Sequence, residues 1–290
     1  MKTALFVGLA LVGFVYLVAL GRAVLRSSRN QEVLETLIGF VTNFFDTLGI
    51  GSFASTTAAF KMFGLVPDEK IPGTLNVGHT LPTIVQAFIY IAIVQVDVWT
   101  LVLMIAASVL GSWLGAGVVA GWPRRKIQIG MSIALIVAAG LFVRQIYLGD
   151  PTGGQTLRLE GWRLAVGLIG NFVLGALMEL GIGLYGPCML LVSLLGMNSK
   201  AAFPIMMGSC AFLMPVGSLK FIQRESYDLR AALRLGLGGM PAVPIAAFIL
   251  NKLDIGTVRW LVVFVVLLAA ALMLRSAVLE GPQKAESASA

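Results

Sequence analysis

Charge is scarce in this chain. Asp, Glu, Lys and Arg together supply 12% of its 290 residues, roughly half the share found in an ordinary soluble domain. With 58% hydrophobic residues and a mean hydropathy of +0.91, such a composition excludes a water-soluble globular domain and indicates a membrane protein. Histidine and cysteine are nearly missing too, with His79, Cys188 and Cys210 as the whole supply. No HExxH pair, CxxC motif, metal-spaced Cys/His cluster or disulfide framework can be assembled from them. Ser52 follows Gly51 without a G-x-S-x-G setting, and no Walker motif occurs. No catalytic centre, no cofactor and no ATP hydrolysis are therefore expected. The net charge of +7 would suggest nucleic acid in a soluble chain. Here the Lys and Arg residues lie between apolar runs and read as topology determinants, with nucleic acid excluded as a partner.

What the chain has in abundance is apolar length. A bilayer core takes about 20 apolar residues per helix, and windows of that order recur at 3–21, 71–96, 98–123, 127–143 and 201–220. Shorter ones at 235–251 and 260–274 span with snorkelling flanks. Residues 1–30 read as a membrane anchor helix, because Arg22, Arg26 and Arg29 follow the apolar run. The small residues Ala19-Leu20-Gly21 make a cleaved signal peptide the alternative. The stretch 277–290 is expected to be a disordered tail.

The tetrapeptide LGIG occurs twice, with Gly49 and Gly181 132 positions apart. The same offset pairs Phe40-Val41 with Phe172-Val173, Gly64 with Gly196, Pro72 with Pro204 and Ala138-Ala139 with Ala270-Ala271. Two copies of one unit follow, at 33–148 and 163–276, joined by a linker at 149–162 rich in turn residues. Loop charge gives their relation. Arg124-Arg125-Lys126 lies between the third and fourth segments of the first copy, whereas Lys220, Arg224, Arg230 and Arg234 lie between the second and third segments of the second. If the cytoplasmic loops carry the excess Lys and Arg, equivalent loops face opposite sides. An inverted repeat needs an odd number of crossings per copy, so the glycine-broken segment must enter and leave on one side. The expected fold is an all-α polytopic membrane protein. It has an inverted internal repeat of about seven transmembrane helices plus two re-entrant helical hairpins, in the cell (inner) membrane.

Broken backbone survives in lipid only where protein buries it or where it lines a watery cavity. Half-helices starting after the breaks, at Ser52 and near Leu184, aim positive dipole ends and free N–H groups at the midplane, a construction transporters use to hold small anions. The candidate substrate-binding residues are Gly49, Gly51, Ser52, Ser55, Thr56, Asn76, His79, Gly181, Gly183, Tyr185 and Cys188. Asn76, His79, Thr83, Gln86 and Tyr90 are spaced three or four apart, so they form one polar stripe on a helix. The stripe lines a water pathway or satisfies neighbouring helices. Cys188 faces a substrate path or is an inert buried thiol. Asp46 and Glu179 are carboxylates deep in apolar segments, each just before a break. They carry proton or sodium coupling, or accept hydrogen bonds from loosened backbone.

These features resemble the sulfite exporter TauE/SafE family, also called the TSUP or DUF81 permeases. That family has two homologous halves, each opening with a glycine-rich break. The resemblance spans about residues 33–276 and rests on the duplicated layout and on Gly49-Ile50-Gly51 and Gly181-Ile182-Gly183. Ser52-Phe53 and Leu184-Tyr185 stand where the family has further glycines, and Pro187 is the counterpart of its proline. The resemblance implies secondary transport of sulfite, sulfonates or related organic anions, often by export. The partners expected are the lipid bilayer, a small anion, H+ or Na+ as coupling ion, and a second copy of the chain in a homodimer. A channel or cation transporter using Asp46 and Glu179 is the alternative, and an intramembrane enzyme a third class.

Overall fold

The computed structural model describes residues 3–12, 32–149, 154–181, 183–249 and 255–279. The choice between anchor and signal peptide rests on 13–31, which lie outside the described residues. So do Ile182, the centre of the linker and most of the expected tail. Residues 277–279 belong to the last helix.

Among the described residues the regular elements are all helices, with one isolated bridge between Thr156 and Met197. A short apolar helix α1 (Thr3–Val12) precedes α2 (Glu32–Thr47), α3 (Phe53–Phe63), α4 (Ile71–Ile93), α5 (Val98–Val119) and α6 (Arg124–Leu148). The second half repeats the pattern as α7 (Gly161–Met178), α8 (Tyr185–Leu194), α9 (Ala202–Gln223), α10 (Leu229–Ile249) and α11 (Ile255–Leu279). Shifting α2 to α6 by 132 positions lays each helix on its counterpart within a few residues at either end. Six described helices are long and apolar enough to cross a membrane, and α7 is among them. The chain is a multi-pass membrane protein.

Which way each helix runs follows from what it touches. Going up α2, Glu35 pairs with Arg234 at 2.5 Å, Gly39 backs onto Leu235 and Asn43 onto Gly239, so α2 and α10 are parallel. Their counterparts α7 and α5 are parallel as well: Asn171 Nδ2 donates to the Met104 carbonyl at 2.7 Å, and Gly175 abuts the Ser108 carbonyl. The α4 helix runs alongside α10, with Asp228 N–H on Thr74 Oγ1 at 2.8 Å and Pro82 against Gly239. It runs against α9, because Gly73 meets Phe221 while Tyr90 stacks on Phe203 with centroids 5.1 Å apart. The α9 helix in turn runs alongside α5, where Gly208 packs on Ile105 and Ser226 Oγ donates to the Ala120 carbonyl at 3.1 Å. The α6 and α11 helices cross in opposite senses, with Arg125 Nε on the Ala277 carbonyl at 3.2 Å and Tyr147 edge-on to Trp260 at 5.9 Å.

Every helix is therefore antiparallel to its own counterpart, and the duplication is inverted. Because α2 and α4 both point the same way, α3 has to come back between them. Lys61 at its far end reaches Asp68 Oδ2 at 2.6 Å, just before α4, and Ser276 Oγ at 2.9 Å, near the end of α11. In the second half, Thr156 before α7 is bonded to Gly196 and Asn198 after α8, at 2.8 and 2.9 Å. Both glycine-broken segments are re-entrant hairpins. At 1.5 Å per residue, α2 is about 24 Å long, α3 about 17 Å and α8 about 15 Å, and α7 at about 27 Å, though apolar enough to cross, still falls short of a hydrocarbon core of about 30 Å.

The hairpins are held by close backbone contact. A Cβ on Gly111 would overlap the Phe172 carbonyl, and one on Gly238 the Thr36 carbonyl. Gly111 and Gly115 form a G-x-x-x-G face against α7, the small-residue packing that lets membrane helices approach where lipid gives no hydrophobic drive.

Candidate functional site

Both hairpins turn by the same local device. Leu48 N–H bonds the Phe45 carbonyl at 3.1 Å and Gly49 N–H the Asp46 carbonyl at 2.9 Å, and Gly49 then takes φ 88°. At the second tip, Leu180 N–H bonds Leu177 at 3.0 Å, Gly181 N–H bonds Met178 at 2.9 Å, and Gly181 takes φ 89°. A left-handed residue there ends one arm and starts the next, which is why glycine stands at both positions.

The two tips meet at one small cavity with room for about one water-sized particle. Asp46 and Met178, Gly51 and Gly183, Ser52 and Leu184, and Phe53 and Tyr185 line it as four pairs related by the repeat offset. Thr83, Cys210 and Met214 from α4 and α9 complete the wall. The cavity thus sits on the pseudo-two-fold axis, with the first residues of α3 and α8 on opposite sides. Each half-helix starts there, with Ser52 and Leu184 as its N-cap residue.

The polarity of the site is lopsided. Asp46 and Ser52 stand on one side where Met178 and Leu184 stand on the other. Gln86 Nε2 donates to Asp46 Oδ2 at 2.8 Å and Tyr185 Oη lies 3.2 Å from the same oxygen. Tyr185 Oη is also 2.7 Å from Gln86 Oε1. Ser52 approaches the carboxylate through its hydroxyl and its backbone N–H. Glu179 is elsewhere. The 132 offset pairs it with Thr47 rather than with Asp46, and one residue along a helix turns a side chain by about 100°. Its Oε1 accepts from Ser112 Oγ at 2.5 Å. It lies over Gly217, where a Cβ would be 2.6 Å from that oxygen, and its Oε2 has no hydrogen-bond partner among the described residues.

The polar stripe on α4 is buried and largely occupied with the first hairpin. Asn43 Nδ2 donates to the Gly39 carbonyl at 2.7 Å, which turns Asn43 Oδ1 toward His79 Nδ1 at 3.1 Å. An amide oxygen only accepts, so the proton is on Nδ1, and Nε2 accepts from Thr56 Oγ1 at 3.0 Å. His79 therefore braces both arms of the hairpin from α4. Gln86 Nε2 also reaches Thr47 Oγ1 at 3.0 Å, and Tyr90 Oη donates to the Thr47 carbonyl at 2.5 Å, where the break frees that group. Asn76 Nδ2 bonds the Pro72 carbonyl at 3.1 Å. Of the stripe, Thr83 alone lines the cavity.

Of the sequence-derived candidates, Gly51, Ser52, Gly183, Tyr185 and Asp46 come together at the cavity. Gly49 and Gly181 make the turns behind it. Ser55 bonds back to the Ser52 carbonyl at 3.0 Å, Thr56 is engaged by His79, and Cys188 is buried in the core. Asn76, His79 and Glu179 lie away from the lining. Phe53, Met178, Leu184, Cys210 and Met214 line the cavity without having been singled out. The repeat offset held a signal for three of them, since Phe53, Met178 and Leu184 are the counterparts of Tyr185, Asp46 and Ser52.

Residues 163–289, from α7 onward, match the family model described as Sulfite exporter TauE/SafE. No curated protein and no solved structure matches the chain.

Proposed function

We propose that the chain, whose residues 163–289 match the sulfite exporter TauE/SafE family, is a member of that family and a secondary transporter of small anions such as sulfite, sulfonates or related organic anions. The observation that carries this reading is the meeting of two half-helix N-termini, from oppositely oriented repeats, at one cavity. N-terminal N–H groups and the dipole they end favour negative charge, and transporters with inverted repeats bind substrate where such half-helices face each other. The anion is held by Gly51, Ser52, Gly183 and Tyr185, with Thr83 beside them. Asp46 at the site, and Glu179 one helix face away, are the groups that carry coupling to H+ or Na+.

A cavity with room for about one water is smaller than any of these anions, so loading requires the tips to part. The two repeats supply the moving parts: each hairpin packs by its first arm against a helix of the opposite repeat, α2 on α10 and α7 on α5. Rocking of one such unit against the other exposes the tips to one side at a time. Lys61, Lys70, Arg125, Lys126, Lys220, Arg224, Arg230, Arg234 and Arg275 gather at the end where α4, α6 and α10 start. That end is cytoplasmic by the positive-inside rule, in the inner membrane.

The second reading, a channel or cation transporter, draws on the Asp46 carboxylate in the cavity wall. Proteoliposomes holding the full chain separate the two. Saturable sulfite flux that responds to an imposed pH or sodium gradient supports the transporter. Ohmic, gradient-independent current supports the channel.

A further inference from the structure

An anion entering the cavity meets a carboxylate already there. Asp46 Oδ2 takes the Gln86 amide N–H at 2.8 Å and faces the Tyr185 hydroxyl at 3.2 Å, and Ser52 turns its hydroxyl and backbone N–H to the same group. These are the donors around the cavity that an oxyanion needs. The uncharged Met178 takes the place of Asp46 in the other repeat, so one carboxylate serves both tips.

Among the described residues no compensating cation is at hand. The groups facing Asp46 are Gln86 and Tyr90 from α4, Ser52 from the start of α3, Tyr185 from α8 and Cys210 from α9. His79 points its two ring nitrogens at Asn43 and Thr56 instead. Among the described residues no lysine or arginine pairs with Asp46. Two negative charges in a narrow, protein-lined space repel more strongly than in bulk water, so an ionised Asp46 and a bound anion disfavour one another.

Resting on the anion-transport reading above, we propose that Asp46 is a tethered occupant of the anion site, which each anion displaces only as a proton is taken up on the carboxylate. The exchange balances as Asp46 carboxylate plus one proton plus one anion giving Asp46 carboxyl beside the bound anion. Ser52, Gln86 and Tyr185 are then released to the anion, and the new carboxyl O–H becomes a further donor. On the other side the anion and the proton leave, and the carboxylate takes back its partners. One proton and one anion cross together, which is electroneutral for a monoanion and restores the site to a capped, closed form between cycles.

Calorimetry of sulfite binding to the purified full chain, run in buffers of different ionisation heat, counts the protons taken up. Sulfite titrates in the same way with every variant, so the difference between variants reports the protein. Wild type should take up about one proton more per sulfite than Asp46→Asn, and Asp46→Glu should keep that extra proton. Equal counts in wild type and Asp46→Asn, with sulfite bound to both, overturn the proposal while leaving anion transport standing. If the Asn variant does not fold, infrared difference spectra of the wild type should show a carboxylate converting to a carboxyl as sulfite binds. Spectra without that conversion also overturn it. A wild-type protein that neither binds nor moves sulfite sinks the transport reading itself.

Discussion

The Tyr185 hydroxyl at the tip of the second hairpin lies 3.2 Å from Asp46 Oδ2 at the tip of the first and 2.7 Å from Gln86 Oε1 on α4. One side chain thus joins the two repeats where the cavity is. Tyr185→Phe keeps the ring in the wall and removes the hydroxyl that makes this link. Leaving its buried partners short of a donor should cost about 1–2 kcal/mol, read as a lower Tm in detergent, together with a several-fold change in sulfite KM. An unchanged Tm and KM would show that the tips do not depend on one another.

The hairpins should tolerate no added side-chain atom at their supports. Gly111→Ala and Gly238→Ala each place a Cβ into a facing backbone carbonyl, and backbone cannot move aside as a flexible side chain can. Both variants should fold poorly, with a loss on the order of 1–3 kcal/mol as expected for overpacking, seen as reduced monodisperse yield. Gly117→Ala, whose added atom would meet nothing within 4 Å, should behave as wild type. Equal yields for all three would contradict the close approach of α5 to α7 and of α10 to α2.

The returning arm of the first hairpin is pinned by the Lys61–Asp68 pair, 2.6 Å apart with side chains 14% and 6% exposed. Gln128 Nε2 adds a bond to Asp68 Oδ2 at 2.9 Å. Lys61→Met takes the ammonium away from a nearly buried carboxylate that keeps its bond from Gln128 and should destabilise by about 1–3 kcal/mol. Lys61→Met with Asp68→Leu removes both charges and should recover most of the loss. Thermal unfolding of the two variants checks this, and a double variant no better than the single would mean that the pair is not what holds the arm.

Orientation can be read by labelling. Cys188 and Cys210 are buried, so an introduced thiol reports alone. Arg224→Cys lies at the end rich in Lys and Arg and should be shielded from an impermeant reagent applied outside cells, whereas Thr156→Cys at the opposite end should react. The reverse pattern would invert the assignment of sides without altering the fold.

The breaks were legible because glycine at a fixed place in both copies has a backbone cause, and Gly49 and Gly181 take nearly the same positive φ. The inversion was legible because basic residues accumulate on one side of a membrane. The purpose of the α4 stripe was not legible. Periodicity tells which residues share a face but not what that face touches, and here it serves mainly the loosened backbone around Thr47 and the two arms braced by His79. The equivalence of Asp46 and Glu179 was legible only approximately. They differ by one position in the repeat, and that step sends one carboxylate into the cavity and the other against Ser112 and Gly217. Met178, Cys210 and Met214 carried no signal by type, since apolar residues in an apolar chain are what packing alone requires.

The central claim is that both hairpin tips form one anion site. Sulfite flux into proteoliposomes tests it most directly when wild type is compared with Ser52→Ala at one tip and Tyr185→Phe at the other. The account predicts saturable flux in the wild type, weakened by each variant, with the double variant losing less than the product of the two single effects because they share one site. Flux indifferent to both substitutions, or an ohmic current in place of saturable flux, would contradict it.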